Sequence, residues 1–409
     1  MKLLLLLLLP QIALASLQIP TKEFQFQASL NAVIGNSTRP DVRPGMVVAS
    51  PSRQNPNYYF DWVRDTALTM RSLIDLYDAK RDPKLKKLIL TWIDAEIFRQ
   101  TLPTMTGLGE PKFNVDGSGY TGPWGRPQND GPALRAISII RFARILLRDG
   151  EQDYVIKKLY NSGSVIKKDL EYTAREWTKP NFDLWEEVKG MHFYTLLVQH
   201  TALQEGAKMA REFRDDEAAS RYEAEANKIA RGLVNRFLDP NVGIRTTVDR
   251  VEGIDYKTSN LDAAPMLALL HTYPYQKLFG FNHPQVRKYI DTLALTFAKG
   301  YEVNKALPDL GVGIGRYPED RYDGNGTSLG NPWFLLTLGL GEYMCLLRNE
   351  VRTDRMDQMI EKQFQRALFH SDRRGHMSEQ FNQRTGHMQG AVDLTWSHNA
   401  FLTAMMRCH

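Results

Sequence analysis

The segment Asp183-Leu184-Trp185-Glu186-Glu187 sets two adjacent carboxylates against an indole. Asp183 and Glu186 have the spacing of a capping box, and acids favour a helix N-terminus, so one use of this segment is to start a helix. Glu379, in Ser378-Glu379-Gln380, stands apart, and taken alone it reads as an ordinary exposed glutamate. Together these acids suit a specific chemistry. Glycosidic hydrolysis needs one carboxyl that keeps a proton for the leaving oxygen and a second that activates water or attacks C1. The like charge at Glu187 and the apolar face of Trp185 would favour the protonated form of an acid at Glu186.

Aromatic residues gather near the same segments. Trp62, Trp124, Trp185, Trp333 and Trp396 accompany Tyr58, Tyr59, Tyr120, Tyr317 and Tyr322, interleaved with Arg64, Asp65, Asp116, Arg126, Asp130, Arg316, Glu319 and Asp320. Any one of these rings could simply plug a loop onto the core. Flat apolar faces beside charged donors and acceptors also suit a sugar, whose C–H face stacks while its hydroxyl rim needs partners. Competing motifs are weak. Gly326-Thr327-Ser328-Leu329-Gly330 has the spacing of a nucleophile elbow but no preceding strand, and Gly311-Val312-Gly313-Ile314-Gly315 lacks a strand–turn–helix setting. Asp116-Gly117-Ser118-Gly119 starts like a calcium loop but has Pro127 where the bidentate acid belongs. No metal or cofactor is expected.

The elements that must position these groups are helical, because apolar residues recur at 3.6-residue spacing along the chain and strand-like alternation is scarce. The pattern predicts twelve helices, over 22–34, 62–79, 83–101, 130–148, 151–176, 188–212, 215–238, 259–272, 284–300, 331–350, 352–370 and 392–407. Asn331-Pro332 reads as an N-cap with Pro at the first helical position, and Gly35 as the end of the first helix. Short and long connections alternate, and short ones force antiparallel neighbours. The expected fold is therefore all-α: six helical hairpins closed into a ring, with the long loops at 35–61, 102–129, 177–187, 239–258, 301–330 and 371–391 on one face. An open solenoid would leave a sequence repeat, and none is found.

The 409 residues carry 52 basic and 47 acidic side chains, a net charge of +5 without a basic cluster, which argues against nucleic acid as a partner. Lys2, the apolar run Leu3 to Leu9 and Ala13-Leu14-Ala15 read as a cleavable leader over residues 1–15. A single domain over 16–409 is expected, secreted or vacuolar, with no membrane span after cleavage. Asn36-Ser37-Thr38 and Asn325-Gly326-Thr327 are sequons that fit such a route. The two cysteines, Cys345 and Cys408, are too few for a disulfide framework; an oxidising compartment would permit them to pair.

Tyr58-Tyr59-Phe60-Asp61-Trp62-Val63-Arg64-Asp65, Gly107-Leu-Gly-Glu-Pro-Lys-Phe-Asn-Val-Asp116 and Trp124-Gly-Arg-Pro-Gln-Asn-Asp-Gly131 resemble the fungal and yeast glucoamylases of glycoside hydrolase family fifteen. So do Asp183-Leu-Trp-Glu-Glu-Val188, Gly315-Arg-Tyr-Pro-Glu-Asp320, Gly330-Asn-Pro-Trp-Phe334, Ser378-Glu-Gln380 and Asp393-Leu-Thr-Trp-Ser397. The loop at 239–258 contributes no recognisable block. The resemblance implies an (α/α)6 barrel and exo-hydrolysis of α-1,4 bonds, with α-1,6 bonds cut more slowly, at non-reducing ends of starch, glycogen or maltodextrins. β-Glucose would be released with inversion, by a monomer.

By position, the resemblance makes Glu186 the general acid and Glu379 the base that activates water, with Asp183 a second candidate for the base. Arg64, Asp65, Glu187 and Arg316 would hold the terminal glucose. Tyr58, Trp62, Trp124, Trp185 and Trp396 would line the pocket, and Gln380 would lie beside the base. With Glu379 ionised and Glu186 protonated, activity would peak at mildly acid pH. Lys189 stands where the family pattern has Asn, which bears on preference just beyond the cleaved bond. With no Ser/Thr-rich stalk or starch-binding module in the sequence, soluble dextrins or glycogen are expected to be better substrates than granules. Two rivals are a trehalase or glucodextranase of the same family, and a non-catalytic glucan-binding domain on the same scaffold. The presence of both Glu186 and Glu379 argues against the latter.

Overall fold

A computed structural model describes residues 19–353 and 355–408. The expected leader lies outside the described residues. Twelve main helices run in chain order: α1 Lys22–Ser37, α2 Val63–Lys80, α3 Pro83–Arg99, α4 Asp130–Arg148, α5 Val165–Glu176 and α6 Phe193–Glu212. The second half comprises α7 Asp216–Gly232, α8 Ala264–Thr272, α9 Pro284–Gly300, α10 Phe334–Glu350, α11 Met356–His370 and α12 Thr395–Cys408.

Composition sorts these helices into two layers. α4 buries 15 of its 19 residues, including the paired charges Asp130 and Arg135, as a helix enclosed on most sides does. α7 buries only five, Ala218, Ala219, Tyr222, Ala226 and Ile229, which form a single stripe. The even-numbered helices pack in the closed cycle α2–α4–α6–α8–α10–α12–α2, and the odd-numbered ones lie outside them. This is the (α/α)6 barrel. Each long connection runs from the end of an outer helix to the start of an inner one. All six therefore meet at the N-terminal end of the inner ring.

Several boundaries differ from those read in the sequence. Val188–His192 is a strand, paired with Asn181–Phe182 and Thr247–Gly253, so α6 starts only at Phe193. Capping-box use of Asp183 and Glu186 is thereby overturned. The stretch 151–176 breaks: a wound turn over Gln152–Leu159 precedes α5, with Gly163 at positive φ between them. α1 passes through Gly35 to Ser37. Asn331 does not cap α10; it donates to Gln380 Oε1 at 2.9 Å and accepts from the Gln383 amide, tying two long loops together.

Beneath the loops a buried ionic chain fixes the start of α2. Arg99 bridges Asp61, at 2.7 Å, and Glu96, while Arg135 bridges Glu96 and Asp169, each at 2.6 Å. Removing one partner of such a chain costs about 3–5 kcal/mol, because a charge is left unpaired in the core. Cys345 of α10 and Cys408 of α12 form a disulfide. Asn36 is buried and its amide donates to Asp393 O and Thr395 Oγ1, so that sequon serves packing; Asn325 is exposed. No described helix is long and apolar enough to cross a membrane.

Candidate active site

A cavity of about 370 Å³ opens among the long loops at the N-terminal end of the inner ring. Its wall includes Tyr58, Trp62, Arg64, Asp65, Trp124, Trp185, Glu186, Glu187, Arg316, Glu379 and Trp396, eleven of the thirteen residues singled out in the sequence. Six separate connections therefore converge on one pocket.

Glu186 sits in a turn with φ of +68°, a left-handed conformation that costs a non-glycine residue roughly 1–2 kcal/mol. The turn is secured by Asp183, whose Oδ1 accepts from the amides of Glu187 (2.8 Å) and Val188 (3.1 Å). Glu186 Oε1 accepts from Trp62 Nε1 at 2.7 Å and Gln128 Nε2 at 3.0 Å, with Arg64 Nη2 at 3.9 Å. Oε2 makes no hydrogen bond to a described residue. The Glu187 charge is neutralised rather than free: Arg316 Nη2 donates to it at 2.8 Å and Tyr317 Oη at 2.7 Å. The like-charge support expected for the acid is thus largely cancelled.

Glu379, in the wall of the same cavity, is fully buried. Its Oε2 accepts from Tyr322 Oη at 3.1 Å, and Tyr322 in turn lies 2.9 Å from Tyr58 Oη. Oε1 has no partner among the described residues. Burial pushes this carboxyl up to about 8, against the lowering effect of Tyr322 and Arg316. That direction is opposite to the one expected for a base working at acid pH. Gly390, at φ of +77°, lies so close that a Cβ there would collide with the carboxylate.

Arg64 and Asp65 line the cavity near Glu186, with Asp65 Oδ2 3.4 Å from Arg64 Nε. Burial pushes Asp65 up to about 7. Trp185 stacks on Trp396 with centroids 6.5 Å apart and tilts against Trp333 at 5.9 Å, forming an apolar floor. Trp124 Nε1, Trp333 Nε1 and Glu379 Oε1 are all buried without a partner among the described residues, and all belong to residues of this wall. Buried polar atoms are rarely left unmatched, so the cluster marks where a many-hydroxyl ligand would supply partners.

Two predicted residues are not on the wall. Asp183 lies behind it, paired with Lys257 Nζ at 3.3 Å, and Gln380 points away to Asn331. Lys189 also stays off the wall, 3.6 Å from Glu252 across a strand pair. Tyr322 and Trp333 were visible as loop aromatics but could not be assigned to the site. Tyr256 comes from the loop at 239–258, where the sequence offered no signal. Lys112 is not on the wall itself but behind its aromatics: its ammonium is caged by Trp124, Phe60, Tyr120 and Trp62, and burial lowers it to about 8. Among the described residues no group of His, Cys, Asp and Glu could hold a metal ion.

The model of Glycosyl hydrolases family 15 matches residues 26–347 and 350–406. The chain belongs to this family and is a glycoside hydrolase. It is 34% identical to a glucoamylase of Blastobotrys adeninivorans, over 94% of this chain and 70% of that one. It is 33% identical to a probable glucoamylase of Schizosaccharomyces pombe, over 90% of this chain and 85% of the relative. Among solved structures, a glucoamylase from Saccharomycopsis fibuligera superposes with a TM-score of 0.83 at 30% identity, covering 95% of this chain and 94% of that one.

Proposed function

We propose that this family 15 hydrolase is an exo-acting glucan 1,4-α-glucosidase that releases β-glucose from non-reducing ends of α-1,4 glucans, and more slowly from α-1,6 bonds. Glu186 is the general acid and Glu379 the general base. The observation that carries this reading is that these two carboxyls line one pocket, each with a single oxygen free of protein donors. Glu186 Oε1 takes the Trp62 and Gln128 donors, which leaves Oε2 to hold the proton for the leaving oxygen. Glu379 Oε2 takes Tyr322, which leaves Oε1 to accept a proton from the attacking water.

The remaining residues bind and orient. Arg64, Asp65, Glu187 and Arg316 present charged donors and acceptors to the hydroxyls of the terminal glucose, while Trp185 and Trp396 stack under its C–H face. Asp183 acts on the turn rather than on water. Burial makes the free Glu379 resist ionisation, and donors to its charged form favour that form. The attacking water, added to Tyr322 within Arg316's field, therefore brings the base into its working state as substrate binds.

The direct test is to follow maltotriose hydrolysis by NMR and observe the first anomer. β-Glucose from the chain end is expected; α-glucose, or inertness to maltotriose with activity on trehalose, would overturn the reading. We place the mature chain on the secretory route as a monomer, with Asn325 the sequon open to a glycan. Intact-mass measurement and sizing of the secreted protein check both points.

A further inference from the structure

We infer that Lys257 is a positioning residue for the acid, its ammonium clamping the turn that presents Glu186 and Glu187 to the pocket. Lys257 comes from the one long loop that carries no recognisable motif. Its Nζ lies 2.5 Å from Asp262 Oδ2 and 3.3 Å from Asp183 Oδ2, and sits over the Tyr317 ring at 4.3 Å. Two carboxylates and a ring face surround the ammonium, and the side chain is 9% exposed and absent from the pocket wall. A role in touching substrate is therefore excluded by position.

Each carboxylate it holds is tied to a different part of the acid turn. Asp183 Oδ1 caps the amides that follow Glu186, as described above, and the Glu186 amide donates to Asp183 O at 2.9 Å. Asp262 Oδ1 accepts from Trp185 Nε1 at 2.9 Å and from the Ala264 amide at 2.7 Å, joining the indole to the start of α8. Tyr317, the ring under the ammonium, donates to Glu187. The same loop also closes over the turn through its backbone, with Ile254 N donating to Glu187 O at 3.2 Å. One cation thus links both carboxylates whose other oxygens fix Trp185, Glu187 and Val188, the residues on either side of Glu186.

Removing the cation should leave two buried carboxylates repelling each other behind the turn. The charged and titratable groups facing Asp183 are Lys257, His192, Glu187 and Asp262. Burial alone would raise Asp183; Lys257, His192 and the two amides hold it below the usual carboxylate range. Without Lys257, Asp183 takes up a proton at higher pH and its cap weakens there.

The test compares Lys257→Met, Lys257→Gln and Lys257→Arg with the parent on maltotriose. A turn displaced by an ångström or less should lower kcat about 10- to 100-fold in Lys257→Met. KM should rise less than kcat falls, since Arg64, Asp65 and Trp396 stay in place while only Trp185 and Glu187 shift with the turn. The loss should be smaller in Lys257→Gln and smallest in Lys257→Arg, and the acid limb of kcat and the acid-side fall of Tm should both move to higher pH. Thermal melting identifies folded preparations, and Lys257→Gln carries the test if Lys257→Met does not fold. A folded variant with kcat within about twofold of the parent, or with the change confined to KM, overturns the inference. The inference rests on Glu186 as the acid. Glu186→Gln in the same assay tests that assignment separately, since retained turnover there would refute it whatever the Lys257 variants do.

Discussion

At the proposed acid, Glu186 projects from a strained turn, is 20% exposed, and is met by an indole, an amide and a guanidinium. At the proposed base, Glu379 immediately precedes the short strand Gln380–Phe381, is fully buried, and has one phenol as its hydrogen-bond donor. The acid is held by the network behind it, through Asp183, and the base by the packing around it, through Tyr322, Tyr58 and Gly390. A strained turn needs surrounding structure to over-determine it, whereas a buried carboxylate needs donors to ionise. The two carboxyls are therefore sensitive to different kinds of damage.

The largest effect should come from deleting either carboxyl. Glu186→Gln and Glu379→Gln should each lower kcat by about 10²–10⁴-fold, the usual worth of a positioned acid or base. Single-turnover kinetics with retained maltotriose binding would check this, and turnover near the parent rate in either variant would dissolve the comparison.

A sharper probe is Tyr322→Phe, which touches the base alone. Glu379 must be ionised to act, so activity falls as pH drops through its titration. Loss of the phenol removes the protein donor to the charged form, so the acid limb should move up by about one pH unit, the scale of one hydrogen bond to a charged group. In the parent, the acid limb of kcat/KM should lie at higher pH than that of kcat, because the free enzyme lacks the donors that substrate and water bring. Coincident limbs would argue against ionisation by substrate binding.

Stability should carry the same signature. The raised carboxyls, Asp65 at about 7 and Glu379 at about 8, bind protons more tightly folded than unfolded, where ordinary values of 3.8 and 4.5 apply. Their contribution to stability is full below the unfolded values and is lost as pH rises through the folded ones. Tm should therefore decline from weakly acid pH to about pH 8, and Asp65→Asn should flatten that slope. An unchanged slope would remove Asp65 as a cause.

The smallest effect on turnover is expected at the disulfide, which joins two inner helices and spans 63 residues of sequence. Cys345→Ala/Cys408→Ala should lose about 4 kcal/mol by loop-closure entropy, read as a lower Tm and denaturation midpoint. Neither cysteine lines the pocket, so kcat at room temperature should hold.

The sequence by itself determined the architecture and the sugar-like chemistry of the loops, while the roles of single pocket residues came from the resemblance to family fifteen. The 3.6-residue spacing, the alternation of short and long connections and the loop aromatics all depend on neighbours close in the chain, so they were legible without coordinates. Helix starts were less so: Asn331-Pro332 is a good local start signal, yet tertiary bonds to Gln380 and Gln383 claim Asn331 and α10 begins at Phe334. Only the folded ring decided what each charge does. Asp183 had the spacing of a cap and the chemistry of a base, but Lys257, 74 residues away, made it a brace. Glu379 looked like any exposed glutamate until Tyr58, Tyr322 and Gly390 closed around it. Burial and pairing are set by residues from distant loops, and local sequence carries no record of which loops will meet.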